Sequence, residues 1–279
     1  MRFGIGADVT DRTVPVTELA RAVEDVGLEH LLLSQRIHLP TSEASLLDEP
    51  NHEMDANLLD PFVALTAAAV ATSRILIGTG ACYAALYDPI TLAKQVATID
   101  HISGGRFLFG VTPGWLESEV ANHGIDPAMR WDVMREKVLA MRELWTGQDV
   151  GYGGRFVHFE PVRVGLRPLQ KPYPPILVGS HGPRGMRHTV EYGDEWYPIV
   201  GPTTDLAVDL KRLAEMCLAA GREPVPVTAG ALWTANEEVV ERCAALGVRR
   251  ISIYVYPTSR AVLDESLERI AALAARYPD

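Results

Sequence analysis

Four short segments of this 279-residue chain gather groups that can hold or transform a small molecule. The first, Gly179-Ser180-His181-Gly182-Pro183-Arg184-Gly185, follows an apolar stretch and leads into a helical pattern. Its small residues let backbone N–H groups approach an anion, the helix start supplies positive potential, and Ser180 and Arg184 add side-chain donors. Taken alone, the segment fits both a phosphate site and a plain Gly-rich turn. The second, Gly78-Thr79-Gly80-Ala81-Cys82-Tyr83, is small enough for a flat ring to lie directly against the backbone. Cys82 reads as packing there, because no partnered base accompanies it.

The third segment, Gly110-Val111-Thr112-Pro113-Gly114-Trp115, offers a hydroxyl, a rigid turn and a broad aromatic face. It suits the edge of a planar ring and equally the cap of a core. The fourth is Ser34-Gln35-Arg36-Ile37-His38. Arg36 can pair with an anionic ring, a cofactor carboxylate or an acidic substrate, or it can form a structural salt bridge. His38 is the histidine best placed for proton transfer, an ordinary loop histidine being the other reading. His101, His158 and His188 read as structural or surface residues, and Asp100, Asp194 and Glu195 as barrel or capping carboxylates.

These segments need a frame that brings them together. Short apolar runs at 3–7, 30–34, 75–79, 106–111, 176–179, 195–199, 225–232 and 251–255 read as strands. Helical patterns lie between them, among them Thr17–Val26 stopped by Gly27, and two opened by Pro61 and Pro89. Near-continuous apolar strands alternating with amphipathic helices imply a parallel sheet covered by helices. Eight such units predict a single (β/α)8 TIM barrel with irregular insertions at 39–59, after strand 2, and 147–175, after strand 4. A barrel needs about 250 residues, so one domain spans 1–279. Active sites of barrels lie at the carboxyl ends of the strands. That rule selects Ala7–Asp8, Ser34–His38, Thr79–Tyr83, Thr112–Trp115, Gly179–Arg184, Tyr197–Val200, Trp233 and Tyr256.

Composition narrows the partners. A formal charge of −10 argues against a nucleic-acid surface. No apolar run approaches the roughly 18 residues of a membrane span, and Met1 to Gly6 reads as a strand rather than a signal peptide. A cytoplasmic location is therefore expected. Cys82, Cys217 and Cys243 form no close pair and no metal-ligand spacing, so no metal is expected.

Together the segments resemble the bacterial luciferase-like oxidoreductase family, especially its branch using the deazaflavin cofactor F420. The resemblance runs through Gly78-Thr79-Gly80, Asp88-Pro89, Leu92-Ala93-Lys94-Gln95, Thr98-Ile99-Asp100, Ser103-Gly104-Gly105-Arg106, Gly110-Val111 and Gly114-Trp115. Leu144-Trp145-Thr146, Pro174-Pro175-Ile176, Gly193-Asp194 with Trp196 and Pro198, and Leu246-Gly247-Val248 extend it. It implies a barrel, commonly homodimeric, that binds F420 or FMN in the cleft at the strand ends. Carried over, Gly179, Ser180, His181, Gly182 and Arg184 would form the phosphate region. Thr79, Gly80 and Ala81 would lie beside the ring, where relatives often have a strained backbone or a cis peptide. Thr112 and Gly114 would help hold the cofactor.

The family implies hydride transfer between F420 and a small organic substrate, oxygen insertion by reduced FMN, or cofactor binding without catalysis. The chain departs from the pattern at two places. Many F420-type members carry an acidic residue followed by histidine where this chain has Gln35 and Arg36, with His38 two residues on. Gly-Gly in the phosphate loop is here Gly179-Ser180. Arg36 can supply positive charge beside a reduced, anionic cofactor, but it stays protonated and is no neutral-pH acid.

Overall fold

Alternation along each strand decides which side chains enter the centre of the molecule. The computed structural model describes residues 1–43, 56–231 and 237–277. Its strands are β1 (Arg2–Ala7), β2 (His30–Leu33), β3 (Leu76–Tyr83), β4 (Phe107–Thr112), β5 (Val150–Gly153), β6 (His158–Val162), β7 (Ile176–Gly179), β8 (Glu195–Tyr197), β9 (Ile199–Val200), β10 (Thr228–Ala231) and β11 (Arg250–Val255). All but β5 and β6 form one parallel sheet in the order β8-β7-β4-β3-β2-β1-β11-β10-β9. Strands β8 and β9 are two halves of one strand interrupted at Pro198. One half pairs with β7 and the other with β10, so the sheet closes. The Gly230 N–H donates to Pro198 O at 2.8 Å across that seam. Eight barrel strands result, as the sequence predicts, and helices surround them.

Several elements follow from local chemistry. Helix Pro61–Ala71 starts with proline in its first turn and an Asp60 side chain that accepts from Val63 N at 3.0 Å. Helix Pro89–Ser103 repeats the device with Asp88, then stops at Gly104 in the left-handed conformation. The 147–175 excursion carries a short hairpin, β5 paired antiparallel with β6. Three details differ from the sequence reading. β3 runs on to Tyr83 with a register irregularity after Thr79. β10 starts at Thr228 rather than Val225. A six-residue helix, Glu117–Asn122, follows β4. Most of the 39–59 insertion, Leu232 and Trp233 lie outside the described residues.

Outward-facing Phe3, Ile5, Leu31, Leu33, Ile77, Phe109, Val178, Ile251 and Ile253 are buried against the helices. Facing the lumen, Leu32, Leu108, Leu177 and Tyr197 make a second, smaller apolar group. Below it the lumen is polar. Glu195 accepts from Arg250 Nη1 at 2.6 Å and from the Thr228 hydroxyl at 2.6 Å, and Arg250 Nε donates to Glu29 at 2.8 Å. His30 is fully buried beside them, its ring lying where a side chain on Gly4 would otherwise stand. Here glycine is required by close approach rather than by its dihedral angles.

Burial holds the His30 imidazole below its ordinary pKa. The unfolded chain takes up that proton near pH ~6.5, whereas the folded protein refuses it. Stability present above that pH is lost as pH falls below it. We expect the urea midpoint to fall between pH 7 and pH 5, and His30→Asn to show a shallower fall over the same range. Equal slopes in the two proteins would contradict this role of His30.

Candidate functional site

At the carboxyl ends of the strands lies a cleft of about 350 Å3, walled by β2, β3, β4, β7 and β8. A larger cavity of about 570 Å3 opens at the opposite, amino ends among Met1, Arg2, Glu24, Arg74 and Tyr277, and it collects none of the candidate residues. Strand ends carry the chemistry in barrels, so the smaller cleft is the candidate site.

Of the residues assigned a catalytic or cofactor-holding role from sequence, Gln35, Gly80, Ala81, Thr112, Gly179, Ser180 and His181 line this cleft, and Ser34, Tyr83, Trp115, Tyr197 and Ile199 from the strand-end list join them. Gly80, Ala81, Thr112 and Gly179 form one flat wall. A Cβ built on Gly179 would lie 3.5 Å from the Ala81 Cβ and 3.6 Å from the Thr112 Cβ, so its absence keeps that wall open. The peptide bond between Gly80 and Ala81 is cis. Thr79 is buried behind the wall, its hydroxyl donating to Gly110 O at 2.7 Å. Gly114 is buried in the turn after β4 with φ +90°, where a Cβ would come within 3.3 Å of Val120. It shapes the rim without lining the cleft.

At the far end, helix Gly182–Tyr192 begins directly after His181, and no side chain caps its first turn. The Ser180 hydroxyl turns inward, accepting from Trp196 Nε1 at 3.0 Å. That leaves the backbone to face a ligand. Gly182 opens the helix in the left-handed conformation, φ +69°. Arg184 is exposed and lies 4.0 Å from Asp132, with its guanidinium over the Trp131 ring.

The Gln35–His38 cluster is held from behind. Gln35 Oε1 accepts from Tyr83 N at 2.6 Å and its Nε2 donates to the Tyr87 hydroxyl, so the amide braces the end of β3. Arg36 is buried and donates from Nη1 to Glu119 at 3.0 Å. The same carboxylate accepts from the Ile37 and His38 backbone amides at 3.0 and 3.3 Å. Glu119 comes from the short helix that sequence reading did not find. The Arg36 guanidinium stands 5.0 Å from the centre of the Trp115 ring, which lines the cleft and is half exposed. Arg36 therefore reaches the cleft through an aromatic face. His38 lies outside the lining, with its Nε2 3.0 Å from Asn122 Nδ2 and its ring beside His123.

Two phenols complete the walls. Tyr83 and Tyr197 both line the cleft. Burial pushes the Tyr197 phenol up to about 12, so it is a neutral hydroxyl at physiological pH. The strand-end rule selected Tyr197 from the sequence, but its place against Gly80 required the closed barrel. No group of three or more potential metal ligands occurs among the described residues. No described helix is long and apolar enough to cross a membrane.

Residues 5–277 match the sequence profile of the family described as luciferase-like monooxygenase. The chain belongs to this family. An uncharacterized protein of Mycobacterium tuberculosis is 33% identical over 99% of both chains. Among solved structures, the monooxygenase RslO1 from Streptomyces bottropensis matches with a TM-score of 0.82 at 21% identity, covering 100% of both chains. An F420-dependent secondary alcohol dehydrogenase, solved with an F420–acetone adduct, matches with a TM-score of 0.79 at 18% identity over 98% of both chains. This luciferase-like chain is thus an oxidoreductase-type enzyme built on the family's barrel.

Glu119 is the anchor of the cluster in this luciferase-like protein. Removing one partner of a buried ion pair leaves an uncompensated charge and costs about 3–5 kcal/mol. Glu119→Ala is expected to lower unfolding stability by that order, and Glu119→Gln by less because it keeps an acceptor. Chemical denaturation reads both. An alanine variant as stable as the parent would show that the pair does not hold this wall.

Proposed function

We propose that the cleft holds a phosphate-bearing flavin or deazaflavin, and that the enzyme uses it for two-electron chemistry on a small organic substrate. The observation that carries this reading is the flat wall of Gly80, Ala81, Thr112 and Gly179, which ends at an uncapped helix start. A planar ring fits the wall, and a phosphate fits the first free amides of the helix, with the Ser180–Arg184 loop around it. When bound, the cofactor supplies the redox chemistry, while the protein positions the ring and excludes water.

Reduced FMN with molecular oxygen is the reading that the family's description supports most directly. The likeness to RslO1, itself named a monooxygenase, runs the same way. Hydride exchange with F420, expected from the sequence, is supported by the likeness to the F420-dependent alcohol dehydrogenase. One pair of assays separates them: turnover with reduced FMN in air giving an oxygenated product, against oxygen-independent oxidation of reduced F420.

We also propose a homodimer. Helix Pro61–Ala71 is apolar on every side, and Val63 and Val70 are 73% and 76% exposed. Such a face on a helix marks an association surface. Light scattering at the monomer mass of 30.5 kDa across working concentrations would contradict it.

The Gly179 position tests the cofactor pose. Gly179→Val fills the flat wall from β7, and we expect it to weaken binding of whichever cofactor the parent takes by about tenfold or more, ~1.4 kcal/mol. Its thermal midpoint should fall modestly, because the new Cβ presses on Val111 O at 3.3 Å and abuts the Ala81 and Thr112 Cβ atoms. Unaltered affinity in calorimetric titration would place the ring elsewhere.

A further inference from the structure

Three neighbouring strands end at one level of the lumen. Ala7 pairs with both Leu33 and Val255, so the residues that follow them, Asp8, Ser34 and Tyr256, leave the sheet side by side. One pair below, Gly6 faces Tyr254, and a Cβ on Gly6 would lie 3.5 Å from the Tyr254 ring. Tyr254 therefore fills the space that glycine leaves. Asp8 is 3% exposed and accepts from the Tyr256 hydroxyl at 3.1 Å. Its other oxygen, Oδ1, has no hydrogen bond among the described residues. The Tyr254 phenol borders the Asp8 carboxylate on one side and the Ser34 hydroxyl on the other, and Ser34 lines the cleft. Burial, reinforced by Asp8, holds Tyr254 well above its ordinary pKa, so it remains a hydroxyl that can pass a proton on.

We propose that Asp8 is the proton store of the cleft, exchanging a proton through Tyr254 and Ser34 with the hydroxyl of an uncharged alcohol or phenol substrate. The inference rests on the cleft being the redox site and holds for either cofactor. In the step, the substrate O–H bond breaks and its proton passes to Ser34 Oγ. The serine proton moves to the Tyr254 oxygen, and the Tyr254 proton moves to Asp8, where a new O–H bond forms. The substrate is left as an alkoxide that can pass hydride to the oxidised deazaflavin, or as a phenolate that can be oxygenated at the expense of reduced flavin and molecular oxygen. In carbonyl reduction or after oxygenation of a phenolate the same path returns the proton to the product oxygen; after alcohol oxidation it leaves Asp8 by that path to solvent once the carbonyl product has gone. Gln35, Arg36 and His38 are committed to other contacts and do not compete for this task. Asp8 carries the one formal charge of the four residues, so a substrate with its own carboxylate is repelled from this end.

The test is NMR of protein labelled at the tyrosine Cζ, with Tyr254→Phe assigning the resonance. In the cofactor-free protein, Asp8→Asn is expected to make Tyr254 titrate at lower pH and Ser34→Ala at higher pH, with Asp8→Glu closer to the parent. In cofactor-loaded protein, cyclohexanol is expected to shift the Tyr254 resonance, and cyclohexanecarboxylate at equal concentration to leave it in place. A Tyr254 resonance that moves in neither variant overturns the relay, whether or not a cofactor binds. A resonance that answers to the carboxylate and not to the alcohol overturns the substrate class. Failure to bind FMN and F420 strikes the proposed function separately. If Asp8→Asn does not fold, Ser34→Ala decides the relay alone.

Discussion

Closure of the sheet forces every second residue of eight strands into one lumen, and the rest of the molecule follows from what those residues are. Near the amino ends they are Glu195, Thr228 and Arg250, a charged and hydrogen-bonded layer that ties three strands together, with His30 buried beside it. In the middle they are Leu32, Leu108, Leu177 and Tyr197, which plug the barrel. At the carboxyl ends they include Asp8, Ser34, Gly80 and Gly179, too small or too polar to fill the lumen. The cleft is the consequence: beyond the plug the side chains fill the lumen only in part.

That division also explains why the two openings of the barrel differ in kind. Both are roomy, but at the amino end the charged groups neutralise one another within the layer. At the carboxyl end the charged groups stand behind the wall or above it. Arg36 is neutralised by Glu119 before it meets Trp115, so its field reaches the cleft weakened and oriented by an aromatic ring. Asp8 has phenols for company, which share its charge without cancelling it. A redox site needs such fixed, dry polarity more than it needs many ligands.

Much of the fold was legible because its signals are local. Pro61 and Pro89 with the aspartates before them, Gly104 after the second helix, and the apolar run Ile176–Val178 each declare an element within a few residues. The extension of β3 through Gly80 and Ala81 was not legible, since a glycine-rich stretch shows no alternation. Helix Glu117–Asn122 is too short to display a periodic face. Of the site, the small wall could be nominated from residue size and the strand-end rule together, since size alone also fits a plain Gly-rich turn. The partners could not. Glu119 lies 83 positions from Arg36, and Gln35 reaches 48 positions to Tyr83. Pairing Asp8 with Tyr256 likewise depends on the register that joins the first and last strands of the barrel, which no stretch of sequence contains.

The central claim is that one end of the barrel, and one wall of it, receives the cofactor. A crystal structure of the protein grown with saturating FMN or F420 tests it most directly. The expected result has the ring flat against Gly80, Ala81 and Gly179 and the phosphate at the amides opening helix Gly182–Tyr192. A cofactor bound instead in the cavity beside Met1 and Tyr277, at the amino ends of the strands, would contradict it.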